Sequence, residues 1–130
     1  LHASRIARLA TVASDGRPHA VPICFAFDGS HLYSAIDLKP KRSATKQLKR
    51  VRNILNNSKV AVVIDHYSEN WMDLGYVLIE GDAAIVSDDV EQKLAAALLR
   101  KKYSQYSDML ELFPTIIKIT FQKCISWGKL

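Results

Sequence analysis

The chain has 130 residues, of which 48% are hydrophobic and 24% are charged. This length and composition predict a single globular domain over residues 1–130 and leave no room for a second core. No apolar run approaches the length of a transmembrane helix, and the first residues lack a signal-peptide pattern, so we expect a cytoplasmic protein without a membrane partner. The two cysteines lie far apart inside apolar runs, which disfavours a disulfide or a zinc site.

The positive charge is concentrated in one part of the chain. The formal net charge is +5, and residues 39–52 hold seven basic residues and no acidic one. Eleven basic and thirteen acidic residues remain outside this basic segment, which leaves about minus two there. One segment therefore makes the protein basic.

The first third of the chain predicts an antiparallel meander of three strands. Apolar runs at about 6–13, 18–27 and 32–37 are separated by the turn sequences Asp15-Gly16 and Asp28-Gly29. Because successive side chains of a strand alternate between its faces, the second strand has one bulky face and one nearly flat face. The bulky face holds Val21, Ile23, Phe25 and Phe27, and the flat face holds Ala20, Pro22, Cys24 and Ala26.

Two helices interrupt the strands that follow. The first is predicted to begin near Pro40, and the second begins at a capping box formed by Asp88 and Glu91. The expected apolar stripe of the first helix is Ala44, Leu48, Val51 and Leu55. The expected stripe of the second helix is Val90, Leu94, Ala97, Leu98 and Lys101.

Three further strands are predicted at about 60–64, 74–86 and 115–127. Strands outnumber helices, and few of the connections look parallel. The pattern predicts a mostly β fold, an antiparallel barrel of about six strands with flanking helices.

The start of the basic segment has the pattern of an anion site. Lys39, Lys41 and Arg42 lie where the third strand leads into the first helix, so helix N-terminal amides and cationic side chains can act together on a phosphate. A solvated helix face is the alternative interpretation, and it remains open for Lys46, Lys49 and Arg50.

Other sequence features narrow the chemistry. The flat face of the second strand would let a planar ring lie against the backbone, although close packing of another layer explains small side chains equally well. The four histidines lack the spacing of a zinc or haem site. No nucleophile elbow, P-loop or dinucleotide-binding glycine pattern is present, so the sequence gives no support to acyl transfer or nucleotide hydrolysis.

Three stretches together resemble a known family. They are residues 7–22, residues 39–54, and Asp65-His66-Tyr67 with Trp71. In this order they are similar to the pyridoxamine 5'-phosphate oxidase-like, FMN-binding split β-barrel superfamily, and more narrowly to its branch of coenzyme F420-dependent oxidoreductases. The resemblance implies a split β-barrel fold with FMN or coenzyme F420 as cofactor.

The resemblance also implies which residues contact the cofactor. Val21, Pro22 and Ile23 would run along its ring, and Ser34 and Ala35 would flank the ribityl chain. The phosphate would be held by Lys39, Lys41 and Arg42.

By the same resemblance the protein forms a homodimer, and a partner subunit completes each site. The partner's contribution would come from Trp71, Gly75, Tyr76 and Trp127. Simple core or interface packing is the alternative for the two tryptophans.

The function implied is an oxidoreductase that moves a hydride between the cofactor and a small organic molecule, because this chemistry occurs on the cofactor and needs no acid, base or nucleophile motif in the protein. Pyridoxamine phosphate oxidation itself is disfavoured, since residues 120–127 lack the arginine and histidine that bind the vitamin in the oxidase. The alternatives are a non-catalytic carrier or sensor of the cofactor and, ranked below it, a nucleic-acid-binding protein. The basic segment has no aromatic residue to stack on bases.

Overall fold

Seven strands and two α-helices alternate along the part of the chain described by this computed structural model, residues 3–36, 48–106 and 114–129. The strands are β1 (Ala7–Val12), β2 (Pro18–Ile23), β3 (Ala26–Phe27), β4 (His31–Ala35), β5 (Lys59–His66), β6 (Gly75–Ile85) and β7 (Ile116–Gly128). The helices are α1 (Lys49–Asn56) and α2 (Asp89–Lys102), and a short 3-10 helix covers Trp71–Asp73. None of the helices described is long and apolar enough to cross a membrane.

The strands form one antiparallel sheet in the order β2-β1-β5-β6-β7-β4-β3. The two edge strands, β2 and β3, follow each other directly in the sequence, so the sheet must curl until its edges meet. The result is a split β-barrel, which confirms the mostly β fold predicted from the sequence.

The core fills the inside of this barrel. Alternate residues of each strand point inward, as the burial pattern of β6 illustrates from Gly75 to Ala83. The residues that are fully or almost fully buried there include Leu9, Ile23, Phe25, Leu32, Val62, Ile64, Ile79, Ile117 and Ile119.

Helix α1 joins this core through Val51, as predicted, and through Ile54, which is not part of the predicted stripe. Leu55 is 61% exposed, and its predicted burial is wrong. Asn53 is buried instead, and its Nδ2 donates a hydrogen bond of 2.9 Å to Oγ1 of buried Thr11. This bond orients the helix so that Leu55 faces solvent. The predicted start of the helix lies outside the described residues.

The predicted second strand is broken at Cys24 and Phe25. Its first half pairs with β1 and its second half with β4, so the break is the split of the barrel. The hydroxyl of Tyr103 lies 3.1 Å from both the backbone N and O of Phe25 and 2.8 Å from the carbonyl of Arg5. A hydroxyl has one proton, so Tyr103 accepts from the Phe25 N–H and donates to one of the two carbonyls. A distant side chain thus replaces the ladder bonds that the break removes.

The predicted buried stripe of α2 is wrong. The helix buries Ala95, Ala96 and Leu99 against β3 and β4, whereas Val90 is 65% exposed and Leu94 is 63% exposed. The two small alanines let the helix lie close to the outer face of the sheet. The larger apolar side chains, Val90 and Leu94, remain exposed to solvent.

Only one of the two hydrogen bonds of the predicted capping box is formed at the start of α2. The Asp88 carboxylate accepts the Glu91 N–H at 2.9 Å, as predicted. The Glu91 carboxylate does not return this bond, because it accepts from the Tyr33 hydroxyl at 2.8 Å and pairs with Lys118 at 2.6 Å. These two contacts hold the start of α2 on β4 and β7.

Candidate cofactor-binding site

Two backbone edges near the split have no strand partner among the described residues. Strand β2 pairs only with β1, and β4 pairs with β3 only at Leu32 and Tyr33. Among the described residues, the second edges of β2 and of Ser34–Ala35 therefore have no strand partner. Pairing thus stops near the split on both strands that were predicted to contact the cofactor.

The side chains at this opening are mostly turned away from it. Ile23 and Ser34 are buried, Ala35 is buried beneath α2, and Val21 is half-buried. Pro22 alone of the predicted ring and ribityl positions is exposed. Ser34 and Ala35 are buried as whole residues, so only β2 can offer a ligand the backbone groups of its unpaired edge.

Lys39, Lys41 and Arg42, predicted to hold the phosphate, lie outside the described residues. The described residues begin again at Leu48, immediately before α1. Lys49 and Arg52 of that helix are exposed, and Arg50 is half-buried.

A broad apolar area covers the outside of strands β2, β1, β5, β6 and β7. One cross-strand row on this outer face is Pro22, Arg8, Val63, Leu78 and Ile125. The next row is Ala20, Ala10, Ala61, Glu80 and Lys123. We call these two rows, with Tyr76 and Trp127 beside them, the bare sheet face. No described element packs over it.

Aromatic residues form one end of the bare sheet face. Tyr76 and Trp127 are cross-strand partners, with ring centroids 6.2 Å apart and ring planes 26° apart. They are 39% and 56% exposed, and Trp71 nearby in sequence is 72% exposed. Large, semi-polar side chains of this kind are typical of interfaces.

Beside this aromatic pair, Gly75 lies opposite Gly128. A Cβ on Gly75 would collide with the backbone of Lys129, and a Cβ on Gly128, whose φ is +74°, would collide with the carbonyl of Leu74. The two glycines are therefore required by close backbone approach. Any side chain at Gly75 would first disturb the strand pair itself.

The two sets of predicted site residues lie at opposite sides of the bare sheet face. Strand β2 carries Pro22, and β7 carries Trp127, four strand spacings away in the sheet order. At about 4.8 Å per spacing this is about 19 Å along the sheet. One subunit therefore cannot place both sets against the same face of one ring.

An ion pair lies within the bare sheet face. The guanidinium of Arg8 is 3.2 Å from the carboxylate of Asp65, and both side chains are about half exposed, at 52% and 50%. Exposed pairs of this kind contribute at most about 1 kcal/mol. The pair is not needed to hold the barrel together.

Sequence reasoning missed Leu78 and Ile125 in the centre of this face and Tyr103 at the split. The first two could have been found, because the strands at 74–86 and 115–127 carry apolar residues on both faces. Tyr103 could not, since its partner Phe25 is 78 residues away.

Comparison with known proteins agrees with this architecture. Residues 1–128 match the family model described as pyridoxamine 5'-phosphate oxidase. A search of curated proteins finds no significant match.

Similar solved structures include a FAD-binding protein from Mesorhizobium loti, with 24% identity and a TM-score of 0.72 over 96% of this chain and 84% of that one. The heme storage protein HutZ from Vibrio cholerae has 15% identity and a TM-score of 0.73 over 98% and 87%. The General Stress Protein 26 from Bacillus anthracis has 25% identity and a TM-score of 0.65 over 95% and 84%.

Proposed function

The chain belongs to the pyridoxamine 5'-phosphate oxidase family, and we propose that it is an oxidoreductase that binds FMN or coenzyme F420 at the interface of a homodimer. The bound cofactor would supply hydride transfer to or from a small organic molecule. The observation that carries the proposal is the split, where the outer backbone edge of β2 has no strand partner among the described residues.

The free edge of β2 has a defined hydrogen-bonding character. Pro22 lies opposite Arg8 and has no N–H, so its backbone groups point away from β1, toward the free edge. Because backbone direction alternates along a strand, Pro18 and Ala20 point the same way. This edge presents three carbonyl acceptors and a single N–H, that of Ala20, so it could accept from the one pyrimidine N–H of a flavin or deazaflavin ring and donate to one of its carbonyl oxygens.

The bare sheet face supports the homodimer. A twofold axis would bring β2 of one subunit near β6 and β7 of its partner, so the two sets of site residues that are about 19 Å apart in one chain would meet across the interface. The cofactor ring would then lie between Val21, Pro22 and Ile23 of one protomer and the partner surface formed by its copies of Trp71, Gly75, Tyr76 and Trp127.

The protein's own residues have positioning roles in this proposal. Lys39, Lys41 and Arg42 would hold the phosphate through charge-assisted hydrogen bonds, and the backbone at Ser34–Ala35 would lie beside the ribityl chain. The packed aromatic wall would exclude water from the ring, as hydride transfer requires. In this proposal no side chain has a role in proton transfer.

Of the two cofactors, coenzyme F420 is the leading candidate, because it carries an anionic tail in addition to the phosphate. Lys49 and Arg52 are exposed on α1, just after the predicted phosphate anchors. They are available to an extended anionic tail in solution, whereas FMN would need only the anchors.

The test is a spectroscopic titration of the purified protein with FMN, with coenzyme F420 and with heme. Lys41→Ala/Arg42→Ala should weaken either flavin-type cofactor at least about tenfold, since each charge-assisted bond contributes about 1.5–3 kcal/mol. Lys93→Ala/Arg100→Ala removes the same two charges from α2 and is the matched control, which should bind normally.

The same titration separates the alternatives. Lys49→Glu/Arg52→Glu should weaken coenzyme F420 and leave FMN nearly unchanged. Unchanged cofactor affinity in a folded Lys41→Ala/Arg42→Ala variant would contradict the proposed phosphate site. Tight binding of heme alone, with a Soret band, would replace the proposal, and cofactor binding without hydride transfer to any acceptor would favour a carrier.

A further inference from the structure

A groove runs along the flank of α2, where the helix meets strands β3 and β4, and buried Ala95 is part of its lining. It consists of two adjoining cavities of about 500 and 670 Å³ that share Asp28, Leu98 and Lys101. Its apolar walls include Ala26, Phe27, Tyr33, Val90, Leu94 and Leu98. We call it the α2 groove. It is separate from the bare sheet face, and its Lys102 end adjoins the split at Phe25.

The apolar length of the groove is large for a surface that faces water. Val90 and Leu94 are 65% and 63% exposed, and they belong to the stripe that continues through Leu98 to Lys101. From Val90 to Lys101 the helix rises about 16 Å. An apolar strip of this length next to a cavity is typical of a binding site.

The C-terminal end of the groove carries an unsatisfied cation. The Nζ atom of Lys102 is buried and has no hydrogen-bond partner among the described residues. It lies 3.7 Å from the centroid of the Phe25 ring and 5.4 Å from that of Tyr103. Cation–π attraction stabilises the ammonium there, but its three N–H donors lack an acceptor.

The carboxylates of the groove already have partners. Asp28 accepts the backbone N–H groups of Ser30 and His31 at 2.8 and 2.6 Å. Glu91 is paired with Tyr33 and Lys118, and Asp88 caps α2. At the Lys101–Lys102 end of the groove, a cation therefore lacks a hydrogen-bond acceptor, which an anionic ligand could supply. The carboxylates of the groove already have partners and do not need a cationic ligand.

We infer that the α2 groove binds an amphipathic monoanion, a molecule with a carboxylate head and an unbranched apolar tail. The head would accept hydrogen bonds from Lys102 and Lys101, and the tail would lie along Leu98, Leu94 and Val90. Arg5, whose guanidinium lies 4.7 Å over the other aromatic neighbour, Tyr103, adds to the positive potential at the head end. This inference does not depend on the proposed cofactor.

The test is isothermal titration of the full chain with dodecanoate. One molecule should bind per chain, and shorter carboxylates should bind about fourfold more weakly for each methylene removed. Dodecanol should bind at least about tenfold more weakly than dodecanoate, because it lacks the charge that Lys102 needs. Dodecyltrimethylammonium should not compete.

Two variants locate the ligand. Lys102→Met keeps the apolar stem and should reduce dodecanoate affinity about tenfold or more without changing dodecanol binding. Leu94→Asp should weaken both, and Leu55→Asp, at a similarly exposed leucine on α1, should weaken neither. All three variants should keep the fold intact, and their affinity for FMN or coenzyme F420 should equal that of the native chain.

The inference is overturned if dodecanoate shows no saturable binding, or if it binds Lys102→Met as well as it binds the native chain. A change in sedimentation on Leu94→Asp, without any dodecanoate binding, would show that a second copy of the chain occupies the groove instead, and this would also overturn it.

Discussion

The outer surface of the barrel has two regions, one covered by a helix and one without a cover among the described residues. On β3, β4 and the start of β7, helix α2 covers the sheet, and Ala26, Tyr33, Ala35 and Ile116 are at most 5% exposed. On the bare sheet face, Ile125, Tyr76 and Trp127 are 38%, 39% and 56% exposed.

Strand β7 crosses both regions. Its first two residues are buried, and every residue from Gln122 to Gly128 is exposed, although both halves contain large apolar side chains. The comparison teaches that local hydrophobicity marks a surface that needs a cover but does not identify the cover. In one half the cover is a helix of the same chain, and in the other half none of the described residues provides one.

The largest expected contrast is in stability. Leu99→Ala, in the covered region, should lower the free energy of unfolding by about 2–5 kcal/mol, because it leaves a cavity under α2. Ile125→Ala, on the bare sheet face, should lower the stability of the isolated subunit by less than about 1 kcal/mol. Urea denaturation at low protein concentration measures both, and equal losses would mean that the two regions are covered alike.

A smaller effect should follow from opening the split between the two regions. Tyr103→Phe removes the hydroxyl that satisfies the backbone of Phe25 and should cost about 1–3 kcal/mol. Tyr67→Phe, at a tyrosine that is 63% exposed, is the control and should cost almost nothing. If the two variants unfold at the same urea concentration, solvent rather than Tyr103 satisfies the strand break.

The smallest effect concerns Lys102 at the edge of the covered region, and it is a pH dependence. Burial and then the positive charge of Arg5 lower the pKa of Lys102 from 10.5 to about 8, while Cys24 acts in the opposite direction. Between these two pH values the unfolded chain binds more protons than the folded one, so this group adds stability as the pH rises.

The measurement is the difference in unfolding free energy between the native chain and Lys102→Met from pH 7 to pH 10. As the pH rises, the unfolding free energy of the native chain should increase relative to that of Lys102→Met. Arg5, Cys24 and Tyr103 also face Lys102, and burial raises the pKa of Tyr103, but these groups are present in both proteins. Parallel curves would show that Lys102 is solvated.

Much of the fold could be predicted from the sequence, because strand alternation reports directly on burial. The alternation predicted for the second strand is present, and its bulky residues Ile23 and Phe25 lie in the core. The break in that strand could not be predicted, since it depends on Tyr103, which is distant in sequence. The buried face of α2 was predicted wrongly, because close approach through Ala95 and Ala96 outweighed the larger area of Val90 and Leu94.

The candidate site was predictable only in outline. The resemblance implied that the second set of residues comes from a partner subunit, but it did not give the sheet order that separates the two sets by four strand spacings in one chain. Gly75 illustrates the remaining gap: the sequence suggests an interface residue, and the structure shows a glycine required by backbone contact with Lys129. An arginine there would disturb the strand pair before it reported on assembly.

The most direct test of the central claim, that the bare sheet face joins two copies and completes the cofactor site, is sedimentation velocity with cofactor titration on the native chain and on Ile125→Arg. Val90→Arg, at another exposed apolar position, is the control. We expect the native chain and the control to be dimers that bind one cofactor per chain at micromolar concentration. The Ile125→Arg chain should be a folded monomer with cofactor affinity reduced at least about tenfold. A native monomer that binds the cofactor tightly, or an Ile125→Arg chain that remains a dimer, would contradict the claim.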